Sequence, residues 1–409
     1  MRGHSVWFGR AAGLRRVWRC TLAGYAALMV AGCGGSDGSA ATTSPSTVAS
    51  PAVINLYPVA GSSGTGAVLY VLVKAVGDHS GTFPMLFDTG SAGITINALS
   101  IFPSSMVTSS GFVFSPGETS ITYQGITVTD QQGTHGYGGG STATTYTGNI
   151  GYATVTFGDG QGALTTQVMP MFLYYEVTAT ASGEVVSEAP QQGIFGVRSV
   201  ESNPIAIEGT TKPAGGYPAC AQGTTGTCWL DSVFKHLTFA DGIDAGFLLT
   251  PATLQTCDIA MSSSCTGAGI LTVGLTAPLE DGFSQQSMTC PPAGFDGPAT
   301  IGSYPVCQAA IAGTTITSSS GSSLTRAVVW DTGTSGVAVT VPEGATFTST
   351  AGQPIDFTLP NGFVYTLAPG GPGSVYLLND SNADSIVGIP YFTTNSFFTD
   401  FTLSTEGWK

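Results

Sequence analysis

Apolar residues in this chain fall in short runs, separated by clusters rich in Gly, Ser, Thr and Asn. Such runs read as strands joined by turns; a helix would repeat its apolar positions every three to four residues. From Ile54 to about Val200 strand follows strand, as where Ala67 to Val76 and Met85 to Phe87 flank a turn at Gly77-Asp78-His79-Ser80-Gly81. One unit occurs twice. Asp88-Thr89-Gly90-Ser91 leaves the run Met85-Leu86-Phe87 and enters Ile94-Thr95-Ile96. Asp331-Thr332-Gly333-Thr334-Ser335, 243 residues later, leaves Val328-Val329-Trp330 and enters Val337-Ala338-Val339. Each copy predicts strand, sharp turn, strand with an Asp at the rim, the glycine permitting a turn that a Cβ would strain and bringing the main chain close to whatever it faces. Between Gly133 and Ser141 five of nine residues are Gly, and Tyr146 to Val155 follows. That pattern predicts a hairpin whose tip carries an aromatic, Tyr137 beside Gly138, able to close over a cleft.

Composition agrees with a strand-rich chain. Charged residues make up 9% of it and Gly numbers 57, whereas helical bundles need more Glu, Lys and Leu. At 409 residues it is long enough for two domains and a large core. Five of the 11 basic residues, Arg2, Arg10, Arg15, Arg16 and Arg19, lie in the first 20 positions. Setting those aside leaves 6 (11 less 5) against 25 acidic residues, a charge of about −19. So acidic a body argues against nucleic acid and anionic membrane surfaces, and reads either as an ordinary solubilising surface or as adaptation to low pH.

The amino terminus reads as an export signal: Arg-rich, then apolar from Leu22 to Ala31, then Val30-Ala31-Gly32-Cys33. The last four residues resemble the bacterial lipobox. That resemblance implies a signal peptide over 1–32, a lipid on Cys33 and, with Gly34 following, the outer membrane; a plain secretory signal is the alternative. Residues 33–53, poor in core-forming types, are expected to be a flexible tether. Its Gly34-Gly35-Ser36-Asp37-Gly38 matches a hydrolase elbow only in letters, since no strand precedes it and no helix follows. No other apolar run reaches the roughly 18–20 residues of a membrane span; Ala67 to Val73 meets Lys74.

Without Cys20 and Cys33, six cysteines remain: Cys220, Cys228, Cys257, Cys265, Cys290 and Cys307. In an exported chain they read as three disulfides. Fifteen pairings are possible, and sequential pairing closes the shortest loops. All six fall in the second half, so reductant is expected to loosen mainly that half. His79, His135 and His236 lack metal-ligand spacing, no phosphate-loop Lys is present, and no cofactor or metal is expected.

Taken in order, these pieces resemble the pepsin-like aspartic proteases. Two Asp-Thr-Gly turns and the glycine-rich hairpin with Tyr137 are followed by Thr147-Gly148-Asn149-Ile150-Gly151-Tyr152-Ala153-Thr154-Val155. Gly193-Ile194-Phe195-Gly196 resembles the segment that completes the first active-site loop; Ile386-Val387-Gly388, Pro390-Tyr391-Phe392 and Phe397 to Phe401 resemble the second. Ser232 to Leu237 and Gly267 to Gly274 resemble a short helix and a strand of the second lobe, and the likeness spans roughly 55 to 409.

The resemblance implies a mostly β, bilobal acid-protease fold: two lobes of six to eight strands, barrel-like, with a cleft between them. The lobes are expected over 54–205 and 206–409. Asp88 and Asp331 would be the catalytic pair, Thr89 and Thr332 would cross-bond beneath them, Gly90 and Gly333 would shape the turns, and Ser91 and Thr334 would donate to the outer carboxylate oxygens. Tyr137 and Gly138 would belong to a flap over an extended peptide. Thr95 departs from the family, which commonly places there a Trp that bonds the flap tyrosine. The implied function is a monomeric, envelope-anchored endopeptidase with an optimum below pH 7. The alternatives are an inactive peptide-binding or inhibitor-like module, and a processing protease for a single envelope protein.

Overall fold

The computed structural model describes residues 44–60, 67–138, 143–159, 162–186, 193–258, 264–350, 352–368, 375–379 and 384–409. The export signal, Cys33, most of the tether and the hairpin tip at 139–142 lie outside the described residues.

Three sheets organise the fold. In the first lobe, His79–Asp88 and Ala92–Asn97 flank Gly193–Val197, which runs parallel to the former and antiparallel to the latter. The second lobe repeats the scheme: Ser385–Val387 lies parallel to Ser323–Trp330 and antiparallel to Val337–Val341. Seven strands make up that second-lobe sheet. The internal repeat seen in sequence is thus a repeat of strand crossing, with each Asp at the end of its strand and a third strand wedged behind it.

A third sheet joins the lobes. Its six antiparallel strands run in the order Ser284–Ser287, Thr405–Trp408, Phe397–Asp400, Asp244–Leu249, Ala268–Leu275 and Ala52–Val59. The last of these turns out of the sheet at Tyr57 and pairs with Val68–Val76 of the first lobe. The two-lobe expectation did not include this shared layer. Nor does the tether run to residue 53: Thr47–Val48 pairs with Thr238–Phe239, and Val48 is buried.

The lobe boundary also shifts. Ala206–Ile207 pairs with Gly133 and Thr134 of the hairpin, and Cys228 and Leu230 pack with Tyr146, Ile150 and Tyr152. The chain therefore leaves the first lobe near residue 230 and not at 205. Its apolar residues after 205 are complementary to that lobe's outer surface.

Buried aromatic rings support the rim. Phe87, Phe157, Phe195, Phe234 and Phe247 contact one another beneath the first loop; Trp330, Tyr365, Tyr391 and Trp408 do so beneath the second. Phe87 immediately precedes Asp88 and Trp330 immediately precedes Asp331, so the packing that holds each ring fixes the backbone that presents each carboxylate. The disulfides pair sequentially: Cys220–Cys228, Cys257–Cys265 and Cys290–Cys307.

Candidate active site

The two Asp-Thr-Gly turns meet. Thr89 N–H donates to Thr332 Oγ1 at 3.0 Å, and Thr332 N–H donates to Thr89 Oγ1 at 2.9 Å. Each hydroxyl then donates across to the opposite strand end, Thr89 to the carbonyl of Trp330 and Thr332 to that of Phe87, both at 2.7 Å. Both threonines are buried, so these four bonds form where water does not compete and leave no donor unmet.

Above this knot the carboxylates are treated alike. Asp88 Oδ1 accepts from Gly90 N–H at 2.7 Å and its Oδ2 from Ser91 Oγ at 2.6 Å. Asp331 Oδ1 accepts from Gly333 N–H and its Oδ2 from Thr334 Oγ1, each at 2.7 Å. Of the two reasons expected for glycine here, close approach is the one the geometry shows, and a strained turn is not. Neither has positive φ; a Cβ on Gly90 would lie 2.5 Å from Asp331 Cγ, and one on Gly333 would lie 2.7 Å from Asp88 Oδ1. Glycine is needed because each loop grazes the other's carboxylate.

Burial pushes the Asp88 carboxyl well above the ordinary carboxylate range, the neighbouring Asp331 charge and the bond between the two acids push it further, and Ser91 and Gly90 N–H pull partly back. Two carboxylates this close hold one proton between them.

Tyr137 ends the described part of its hairpin strand, Ile126–Tyr137. Gly138, at φ +76°, begins the turn beyond it. The Tyr137 hydroxyl and Thr95 Oγ1 are 2.7 Å apart and hydrogen bonded. The departure noted at Thr95 therefore does not leave the tyrosine without a partner: a wholly buried threonine hydroxyl reaches it directly.

The roles of three residues escaped the sequence reading. Arg198 N–H donates to the Ser91 carbonyl at 2.8 Å, and its guanidinium reaches the Gly90 carbonyl at 3.3 Å and Ser202 Oγ at 2.6 Å. Glu201 is buried, accepts from Ala92 N–H at 2.9 Å, and lies 3.6 Å from His135 Nε2. His135 meets the Tyr137 ring edge-on at 4.6 Å. Burial raises the Glu201 carboxyl, but His135 and the N–H groups of Ala92 and Ser202 more than reverse this and leave it lowered. Glu201 thus ties the hairpin to the loop carrying Asp88. No spacing signalled this, because the contact forms only when the strand of residues 126–137 folds over residue 201. Among the described residues, the other two histidines bond neighbouring side chains, His236 to Asp231 at 2.8 Å and His79 to Gln124 at 2.6 Å.

Fold and site together define a pepsin-like aspartic proteinase fold. Among solved structures, the chain is similar to the aspartic proteinase from Irpex lacteus, with a TM-score of 0.50 and 18% identity over 87% of this chain and 96% of that one. No family model matches the sequence, and no curated protein matches it.

Proposed function

We propose that this chain is an aspartic endopeptidase that hydrolyses extended peptides with water activated between Asp88 and Asp331. The observation that carries this reading is the reciprocal Thr89–Thr332 bonding with Gly90, Ser91, Gly333 and Thr334 each donating to a carboxylate. An inert turn needs none of this symmetry, whereas a shared-proton pair needs all of it.

In the reaction the ionised member of the pair takes a proton from water as its oxygen attacks the peptide carbonyl. The protonated member gives its proton to the carbonyl oxygen, forming a neutral tetrahedral diol. Collapse breaks the C–N bond as the protonated carboxyl passes its proton to the leaving nitrogen and the ionised one takes a proton from a diol hydroxyl, which becomes the new carbonyl. The pair ends as it began, with one proton. Substrate pairs in extended form along the hairpin edge, and Tyr137 helps exclude water.

The lipobox-like Val30-Ala31-Gly32-Cys33 supports an envelope protein anchored through Cys33 in the outer membrane, with peptides as its partners. An inactive peptide-binding module is the second reading, compatible with the same fold. Incubating the purified chain with a peptide mixture at pH 3–7 separates the two. Asp88→Asn and Asp331→Asn are each expected to lower kcat at least ~10³-fold. Cleavage surviving in both variants refutes the pair, and peptide binding without cleavage by the parent chain establishes the module.

A further inference from the structure

The loop after Asp88 and the hairpin that carries Tyr137 share one acid. Glu201 comes shortly after the strand Gly193–Val197, and its backbone is fixed, with its N–H donating to the Leu230 carbonyl at 3.0 Å. Its carboxylate is buried and held from two sides: Oε1 accepts from Ser202 N–H at 2.7 Å and Oε2 from Ala92 N–H at 2.9 Å. That same Oε2 faces His135 Nε2 at 3.6 Å.

Each contact leads to a group in the candidate site. Ala92 N–H belongs to the peptide that joins Ser91 to Ala92, and the carbonyl of that peptide accepts from Arg198 N–H at 2.8 Å. Gripped at both ends, the peptide cannot rotate, and Ser91 Oγ stays on Asp88 Oδ2 at 2.6 Å. On the other side, His135 lies two residues before Tyr137, on the same face of the strand. It meets the Tyr137 ring edge-on at 4.6 Å and the Phe172 ring at 6.3 Å. The imidazole is 2% exposed, and a phenyl ring would fill that space without the cost of burying polar nitrogens. What imidazole has and phenyl lacks is attraction to the Glu201 carboxylate. After burial, the Glu201 charge is also the largest influence keeping the Tyr137 hydroxyl protonated, the form able to donate a hydrogen bond.

We propose that Glu201 is a positioning residue for the proposed cleavage, one carboxylate setting both the Ser91 donor at Asp88 and the place of Tyr137 in its hairpin. The inference rests on the peptidase reading and divides the work of one side chain in two. Hydrogen-bond acceptance from Ala92 serves the Asp88 loop, and so bears on kcat. Charge facing His135 serves the hairpin, and so bears on how well a peptide is held.

The test is steady-state kinetics on a cleavable peptide, with thermal melting of the same variants. Glu201→Gln keeps an acceptor for Ala92 but removes the charge facing His135, so KM should rise ~10-fold with kcat within ~3-fold. His135→Phe should give the same split. Because both remove one contact, the double variant should raise KM no further than either alone. It should also melt with the parent, since a buried charged contact replaced by neutral groups of similar size costs little stability. Glu201→Ala, which loses the acceptor as well, should lower kcat ~10²-fold; if it does not fold, the other variants still decide. A double variant that melts with the parent yet keeps the raised KM supports positioning. KM that returns to the parent value along with the melting temperature assigns the contact to stability alone and overturns the proposal. So do KM effects that multiply in the double variant, or parent-like kinetics in Glu201→Gln. Those failures all occur in an active parent, whereas a parent that cleaves no peptide removes the peptidase reading and this proposal with it.

Discussion

Thr95 shows how a single position reads differently in sequence and in space. A family pattern asks for an indole there, yet the structure supplies the same hydrogen bond to Tyr137 from a shorter side chain, at 2.7 Å. Thr95→Val keeps the shape and removes the hydroxyl, leaving Tyr137 without this partner. On the proposed reading it should leave kcat within ~3-fold, raise KM ~10-fold and leave melting nearly unchanged; steady-state kinetics with a cleavable peptide checks the split. The Asp-Thr-Gly-Ser and Asp-Thr-Gly-Thr turns were legible because each is a contiguous motif. Arg198, Glu201 and His135 were not, because each acts through a partner elsewhere in the chain, and one buried contact between distant side chains carries no local pattern. Gly90 was legible as a point of close approach, but what it approaches was not: the constraint is the carboxylate of Asp331 facing it.

Among elements, strands were readable from their apolar runs, and the paired strand–turn–strand units from their repetition. The lobe boundary was not, because the segment from 206 to 230 has little regular structure and follows the first lobe through one two-residue strand pair, scattered hydrogen bonds and packing. That correction reverses the expectation for reductant. Cys220 and Cys228 sit with Tyr146, Ile150, Tyr152 and Tyr174, and Cys257 and Cys265 lie against Tyr57, Val59, Tyr70 and Leu72. Opening Cys220–Cys228, by reduction or by a double Cys→Ser variant, is expected to cost about 2–3 kcal/mol. Amide exchange should quicken first in Tyr146–Tyr152, in the first lobe. Faster exchange confined to 311–341 of the second lobe would contradict this placement.

At the scale of the molecule, pH is the governing variable. Burial raises the carboxyls of Asp88, Asp400 and Glu406, and that of Glu280 to about 7. In the unfolded chain these groups lose their protons near pH 4–5. Between about pH 5 and 7 the folded chain therefore holds more protons than the unfolded one, and stability falls as pH rises. Lys235, buried and lowered to about 8, works the other way only above that pH, and Glu201, lowered, only below about 4.5. Melting should accordingly be roughly 5 °C higher at pH 5 than at pH 7.5. A flat or opposite profile by scanning calorimetry would show that these acids are ionised in the fold. An acid-leaning stability is what so acidic a composition suggested; which carboxyls are responsible was not legible, since burial is a property of the fold.

The sheet shared by the lobes has one more consequence, and it concerns time. It sets Ala52–Leu56 beside Ala268–Leu275 and closes with Phe397–Asp400 and Thr405–Trp408. Residues from the first and last stretches of the folded body must both be present before the layer exists. A chain emerging from its amino end can build the first lobe's strands, but it cannot complete that layer until its final turn of synthesis has passed. Such long-range closure is slow. Both halves of the carboxylate pair therefore come under one rigid support only once the strands of both ends are in place, however early the first lobe's own strands have formed.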